Sequence, residues 1–241
     1  MNQPKLRINK YLSESGVCSR READRLIEEG VVEINHEKAT LGSKVSPGDV
    51  VTLRGTVVTP KKDHVYLAFH KPRGLETTTD ERVADNVISY ISFPQRIFPI
   101  GRLDKDSQGL LLFTDDGDIV NKILRSVNNH EKEYLVTVNR TVTDEFIQGM
   151  AQGVPILDTV TKPCTVEKLS TRQFRIILTQ GLNRQIRRMT EHFGYRVTTL
   201  RRVRIMNIQL GSLPEGAIRP LSPLEMKTLM DSLEESQKHF L

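Results

Sequence analysis

The chain has 241 residues, 37% of them hydrophobic and 27% charged, and a formal net charge of +5. That much apolar residue excludes a disordered chain, and the length allows one large domain or a small one joined to a larger. No apolar run approaches the about 20 residues of a membrane helix and residues 1–10 lack the apolar stretch of a signal peptide, so the expectation is a cytoplasmic protein that meets no membrane.

The charge is unevenly spread. Between Arg184 and Arg204 stand seven arginines and one acid, Glu191, with no lysine. Arginine's planar fork matches phosphates and base edges, so the basic excess points to nucleic acid. The two cysteines, Cys18 and Cys164, have no metal-type neighbours. They read as packed thiols in a reducing compartment, with no metal and no disulfide. Tryptophan is absent and aromatics are 5%, which argues against a broad stacking surface.

In chain order, residues 6–53 form a compact module. Leu6, Ile8, Tyr11 and Leu12 recur at helical spacing, and Ser19 with Glu22 is a capping box opening a second helix that Gly30 stops. Val31–Asn35 and Val50–Leu53 read as short strands, the second after the turn Pro47-Gly48-Asp49. Arg7, Lys10, Arg20 and Arg21 give the helical half a basic surface, and Arg20 and Arg21 lie at a helix N-terminus where phosphate is favoured. Residues 54–63 read as a linker and 64–241 as a second, larger domain.

In that domain strands are expected at 65–69, 96–100, 110–114, 132–138, 162–167, 173–178, 196–205 and 208–209. Helices are expected at 84–91, 117–124, 143–150, 183–193 and 222–232. The elements mix without strict alternation, so the fold class is α+β with a mixed, mostly antiparallel sheet. Residues 231–241 read as an acidic-to-neutral segment.

Four segments carry candidate chemistry. Gly101-Arg102-Leu103-Asp104-Lys105-Asp106-Ser107-Gln108-Gly109 precedes the apolar run Leu110–Thr114, so a polar loop sits at the edge of a buried strand. Either Asp104 or Asp106, beside Arg102 and Lys105, suits a nucleophile or base; a solvated turn accounts for the same residues. His70-Lys71-Pro72-Arg73-Gly74 is a rigid turn after a strand. Glu131–Val136 places Tyr134 in a buried strand. Gly181–Met189 opens a helix bearing Arg184, Arg187 and Arg188.

The first module resembles the S4-type RNA-binding domain, through Arg7-Ile8-Asn9-Lys10-Tyr11-Leu12, Ser19-Arg20-Arg21-Glu22-Ala23, Gly30-Val31-Val32-Glu33-Ile34-Asn35 and Pro47-Gly48-Asp49. The four later segments, in this order and behind such a module, resemble the RsuA family of RNA pseudouridine synthases. The resemblance spans about residues 6–230. It implies a cofactor-free isomerase that converts a uridine in structured RNA to pseudouridine, acting as a monomer on 23S ribosomal RNA, with a transfer RNA as a second target. It makes Asp104 the nucleophile, Arg187 its bidentate partner and Tyr134 the residue against the uracil. Arg102 would fill the gap left by the flipped nucleotide. Lys71, Arg184 and Arg188 would join Arg7, Lys10, Arg20 and Arg21 on the RNA side, with the Lys71 motif also bracing the loop. Two other readings compete: a non-catalytic S4 binder, and a hydrolase using Asp104 and Asp106 as an acid/base pair.

Overall fold

The computed structural model describes residues 5–61, 63–80, 82–124 and 129–238. The chain divides into two compact units, one formed by residues 1–65 with the short stretches 94–96 and 115–117, the other by the remainder.

The first unit runs β1 (Leu6–Arg7), α1 (Ile8–Glu14), α2 (Arg20–Glu28), β2 (Val32–Ile34), β3 (Glu37–Lys38), β4 (Lys44–Val45), β5 (Val51–Leu53) and β6 (Thr56–Val58). Ser19 caps α2 by accepting a hydrogen bond from the Glu22 amide at 3.1 Å, and Gly30 follows at φ +71°, a conformation glycine adopts without strain. Ile8, Leu12, Ala23, Leu26 and Ile27 from the helices meet Val32, Val45 and Val51 in one small core. The strands order as β3-β2-β5-β6, with β1 paired to β4 apart from them.

Part of the expected linker belongs to this unit. Arg54 and Gly55 both take positive φ, 50° and 80°, which matches the right-handed twist of a tight hairpin. Thr56–Val58 then pairs back on β5, and Val58 is buried in the core. Val57 and Val58 are β-branched residues suited to a strand, but Arg-Gly is not a usual hairpin signal.

The second unit runs β7 (Tyr66–Lys71), α3 (Val87–Ile91), β8 (Phe98–Ile100), β9 (Gln108–Thr114), α4 (Gly117–Leu124), β10 (Lys132–Val138), α5 (Asp144–Ala151), β11 (Pro155–Ile156), β12 (Thr159–Val160), β13 (Thr165–Lys168), β14 (Gln173–Leu178), α6 (Gln185–His192), β15 (Val197–Ile205), β16 (Ile208–Gln209), β17 (Ile218–Pro220) and α7 (Pro223–Lys238). Its main sheet orders as β13-β14-β10-β15-β9-β7-β17, with β8 on β9 and β16 on β15. All its pairings are antiparallel except β15 with β9. The α+β, mostly antiparallel class is therefore what the chain adopts. The hairpin β11–β12 and the edge strand β17 are too short to leave a periodic pattern, and α7 runs past the expected end at 232.

β9 is buried along its length after Gln108. β7 lies along one edge. The other edge meets β15 at Gln108 and Gly109, then β8 from Leu112 on. Ala68, Leu110, Leu112, Ile119, Ile123, Ile205 and Leu229 make the core on the face that α4 and α7 cover. Among the described residues no helix is long and apolar enough to cross a membrane, and no cluster of His, Cys, Asp and Glu could hold a metal. Both cysteines are free, Cys18 buried and Cys164 half-buried, and burial pushes the Cys164 thiol up to about 11.

Candidate active site

A cleft of about 860 Å³ opens in the second unit, lined by Asp104, Lys132, Tyr134, Arg187 and Arg202 together with Arg102, Arg184 and apolar walls such as Leu103, Leu178 and Ile186. Its size suits one nucleoside with its neighbours.

The loop from Arg102 to Ser107 has no regular structure, yet each of its six carbonyls accepts a hydrogen bond. Arg202 Nη1 reaches Arg102 O at 3.4 Å. Thr77 Oγ1 reaches Leu103 O at 2.7 Å and itself accepts the Leu103 amide. Lys71 Nζ donates to Asp104 O at 3.3 Å and Ser107 O at 2.9 Å. The Gly74 amide takes Lys105 O at 2.8 Å, and Arg187 Nη2 takes Asp106 O at 3.2 Å. A loop without its own ladder is held rigid only when its polar backbone is satisfied from outside, as here.

This pinning settles which carboxylate faces the cleft. Asp104 lines it, whereas Asp106 is 60% exposed and outside the lining. The Asp104 carboxylate is 34% exposed and its Oδ2 lies 3.7 Å from Arg184 Nη1 and 3.8 Å from Arg187 Nε. Those are ion-pair distances beyond hydrogen-bond reach, so no described side chain consumes its oxygens. Arg187 does not form the expected bidentate pair. Its guanidinium is spent on the loop, donating to Asp106 O and to Ser107 Oγ, each at 3.2 Å, while its buried Nε makes no hydrogen bond. Burial, with Arg184 nearby, lowers its pKa.

α6 explains how both arginines arrive. Arg184 sits before the helix at φ 49°. Gln185 is buried, accepting the Leu182 amide at 3.0 Å and donating to Gln180 Oε1 at 3.3 Å. Ile186 and Met189 anchor the inner face, which leaves Arg187 directed at the loop. Tyr134 is 9% exposed on β10, opposite Arg202 in the strand register.

Residues 65–192 match the RNA pseudouridylate synthase family, and residues 6–51 match the S4 domain. The chain belongs to the RNA pseudouridine synthase family. It is 55% identical over 233 residues to the dual-specificity RNA pseudouridine synthase RluF of Escherichia coli K12, covering 96% of this chain and 80% of that one. It is 33% identical to the ribosomal large subunit pseudouridine synthase B of Bacillus subtilis, over 97% and 99% of the two chains. A crystal structure of a pseudouridylate synthase superposes with a TM-score of 0.69 at 29% identity, covering 93% of this chain and 99% of that one. The protein is thus an isomerase acting on uridine in RNA, with an S4 domain at its N-terminal side.

Within this synthase the structure corrects one predicted RNA contact and adds residues the sequence did not single out. Lys71 is fully buried, so it faces no RNA; its ammonium is occupied by Pro72 O, Asp104 O and Ser107 O. Burial pushes it down to about 8, against the pull of Asp104. Arg188 bonds Asn183 O and Oδ1 and lies outside the cleft lining. Arg102 is exposed at the cleft. In the S4 unit Arg7, Arg20 and Arg21 are exposed, and Lys10 pairs with Glu14 at 3.4 Å. Thr77, Ser107, Lys132 and Arg202 complete the cleft, and no local motif announces them. The unlike carboxylate placements leave no Asp104–Asp106 pair across a substrate, which removes the hydrolase reading.

Proposed function

We propose that Asp104 is the nucleophile of the uridine-to-pseudouridine isomerisation. The carrying observation is its carboxylate at the cleft, close to two guanidinium groups yet free of hydrogen bonds. A carboxylate so placed keeps its lone pairs for substrate while the cations orient it. Arg187 acts as a positioning residue by fastening the loop, and Arg184 lends charge at the cleft mouth. Tyr134 lies against the uracil and can pass a proton. The target nucleotide leaves its stack to enter, and Arg102 takes the vacated place. Arg7, Lys10, Arg20 and Arg21 dock structured RNA by shape and phosphate.

We further propose a monomeric enzyme of two domains, S4 and catalytic, that acts on 23S ribosomal RNA and on a transfer RNA. The dual specificity of the similar Escherichia coli enzyme and the large-subunit action of the Bacillus subtilis one support this target class. Pseudouridine formation frees the hydrogen at C5 of uracil without freeing the base, so release of a C5 tritium label from 23S RNA reads the reaction. Asp104→Asn is expected to abolish label release, by about 10⁴-fold or more, with an unchanged melting temperature. Ordinary release by that variant would overturn the assignment.

A further inference from the structure

Not every cation in the cleft serves the loop. Lys132 and Tyr134 are two residues apart on β10, so they share a face. In the register of β15, Ile205 stands opposite Lys132 and Arg202 opposite Tyr134, with a shift between them. Strict alternation would turn Ile205 and Arg202 to opposite faces; the extra residue in β15 brings both to the cleft.

Arg202 is 3% exposed. Its Nε donates to Leu110 O at 2.7 Å and Nη1 to Arg102 O, while Nη2 is buried without a partner. Lys132 Nζ donates to His130 O at 3.3 Å. Neither has an acidic partner within ion-pair distance among the described residues. Acids are nearby in sequence: Glu131 and Glu133 flank Lys132. Alternation sends both to the other face, where each holds Arg204 at 2.9 Å. Burial, with Arg202 adding to it, pushes Lys132 down to about 8. Two cations deprived of counter-ions inside a cleft are costly unless an anion comes to them.

The reaction supplies such an anion. When the N1–C1′ bond breaks, both electrons stay with the uracil, and the charge spreads over N1, O2 and O4. Written with Asp104 at the sugar, its carboxylate oxygen bonds C1′ as the base leaves. The turned base then attacks C1′ through C5 and expels the carboxylate. C5 loses its proton and N1 gains one, so the product is an isomer.

We propose that Lys132, backed by the buried Arg202 guanidinium, receives the negative charge of the departing uracil. This rests on the Asp104 reading above. Lys132 touches the base; Arg202 acts behind it by its field and by holding the Arg102 and Leu110 carbonyls. A preorganised charge aimed where charge develops is worth far more in the transition state than in the ground state.

The test compares leaving groups. A 23S RNA fragment is prepared with uridine or with 5-fluorouridine at the modified position. Fluorine makes the departing base a more stable anion, so it needs less help. With fluorine at C5 no proton leaves there: the base still couples to C1′ through C5, and water adds across the resulting C6=N1 bond, so the fluorinated product is the hydrated C-glycoside. Single-turnover loss of the starting N-glycoside by the full chain is therefore followed for both RNAs by nucleoside analysis at mildly acidic pH, where both bases are neutral. Lys132→Met should slow uridine conversion about 100-fold with RNA affinity unchanged, and slow 5-fluorouridine conversion distinctly less. Lys132→Arg, which keeps the charge, should recover most of the rate and guards against a folding defect in the Met variant. Equal losses on the two bases, a loss confined to RNA affinity as for a phosphate contact, or no rescue by arginine would overturn the proposal. Asp104→Asn on the uridine RNA fails or passes separately, so the two readings fall independently.

Discussion

The two faces of the β10–β15 pair treat the same kinds of residue in opposite ways. On the outer face Arg204 lies between Glu131 and Glu133, and Glu133 also meets Arg175 at 3.7 Å, so these four charges are all paired. On the cleft face Lys132 and Arg202 stand beside Tyr134 with no acid at ion-pair distance among the described residues, and the Asp104 carboxylate in the same cleft is held on a separate loop. The outer arrangement is ordinary surface stabilisation, worth little per pair. The inner one is unfavourable for folding and is sustained by backbone carbonyls, which satisfy hydrogen bonds without neutralising charge. Pairing serves the fold, and withheld pairing leaves charge available to a substrate.

The contrast can be broken most severely at Gly109, where β9 meets β15. A Cβ there would come within 2.2 Å of the Arg202 carbonyl oxygen, and its φ of +111° is foreign to other residues. Gly109→Ala should cost roughly 3 kcal/mol or more in chemical denaturation and displace Arg202. Next, Arg187→Ala frees the loop at Asp106 and Ser107. We expect about 100-fold slower tritium release with a stability loss of about 1–3 kcal/mol. That pattern separates a positioning residue from the nucleophile, whose replacement leaves stability untouched.

Lys71→Met removes the donor from three carbonyls and should cost about 2 kcal/mol. It also changes the pH response. The folded pKa of Lys71, about 8, lies below its ordinary 10.5. Between those values the unfolded chain holds a proton that the folded one has lost, so stability rises with pH across that window. Denaturation midpoints measured from pH 8 to 10.5 should rise less in the variant than in the parent. The smallest effect belongs to the outer face: Arg204→Met should cost about 1 kcal/mol or less and leave the isomerisation rate unchanged. A large rate loss there would mean the two faces are coupled and the contrast false.

Much of the site was legible because its parts are local. The capping box at Ser19, the buried run of β9 and the helix opening at Gln185 each depend on a few neighbouring residues. Asp104, Tyr134 and Arg187 were named from segments whose pattern carries a family resemblance. Lys71 was placed on the wrong side because a lysine in a Lys-Pro turn looks solvated, and only strand β7 inside the sheet buries it. Arg187 was given the wrong partner atom because a salt-bridge expectation from sequence cannot see that loop carbonyls compete for the guanidinium. Arg54-Gly55 hid a hairpin since its turn residues are atypical.

By itself the sequence determined the α+β class, the basic RNA-facing character, the elements that alternate or repeat with clear period, and the short list of charged residues near one loop. Those follow from local periodicity and residue chemistry. The tertiary structure alone decided that Asp104 and not Asp106 enters the cleft, that six loop carbonyls are pinned from elsewhere, and that a shift in strand register turns Arg202 inward beside Lys132. Each of these depends on contacts between residues far apart in the chain, whose geometry is set by packing and by one unpaired residue in a strand.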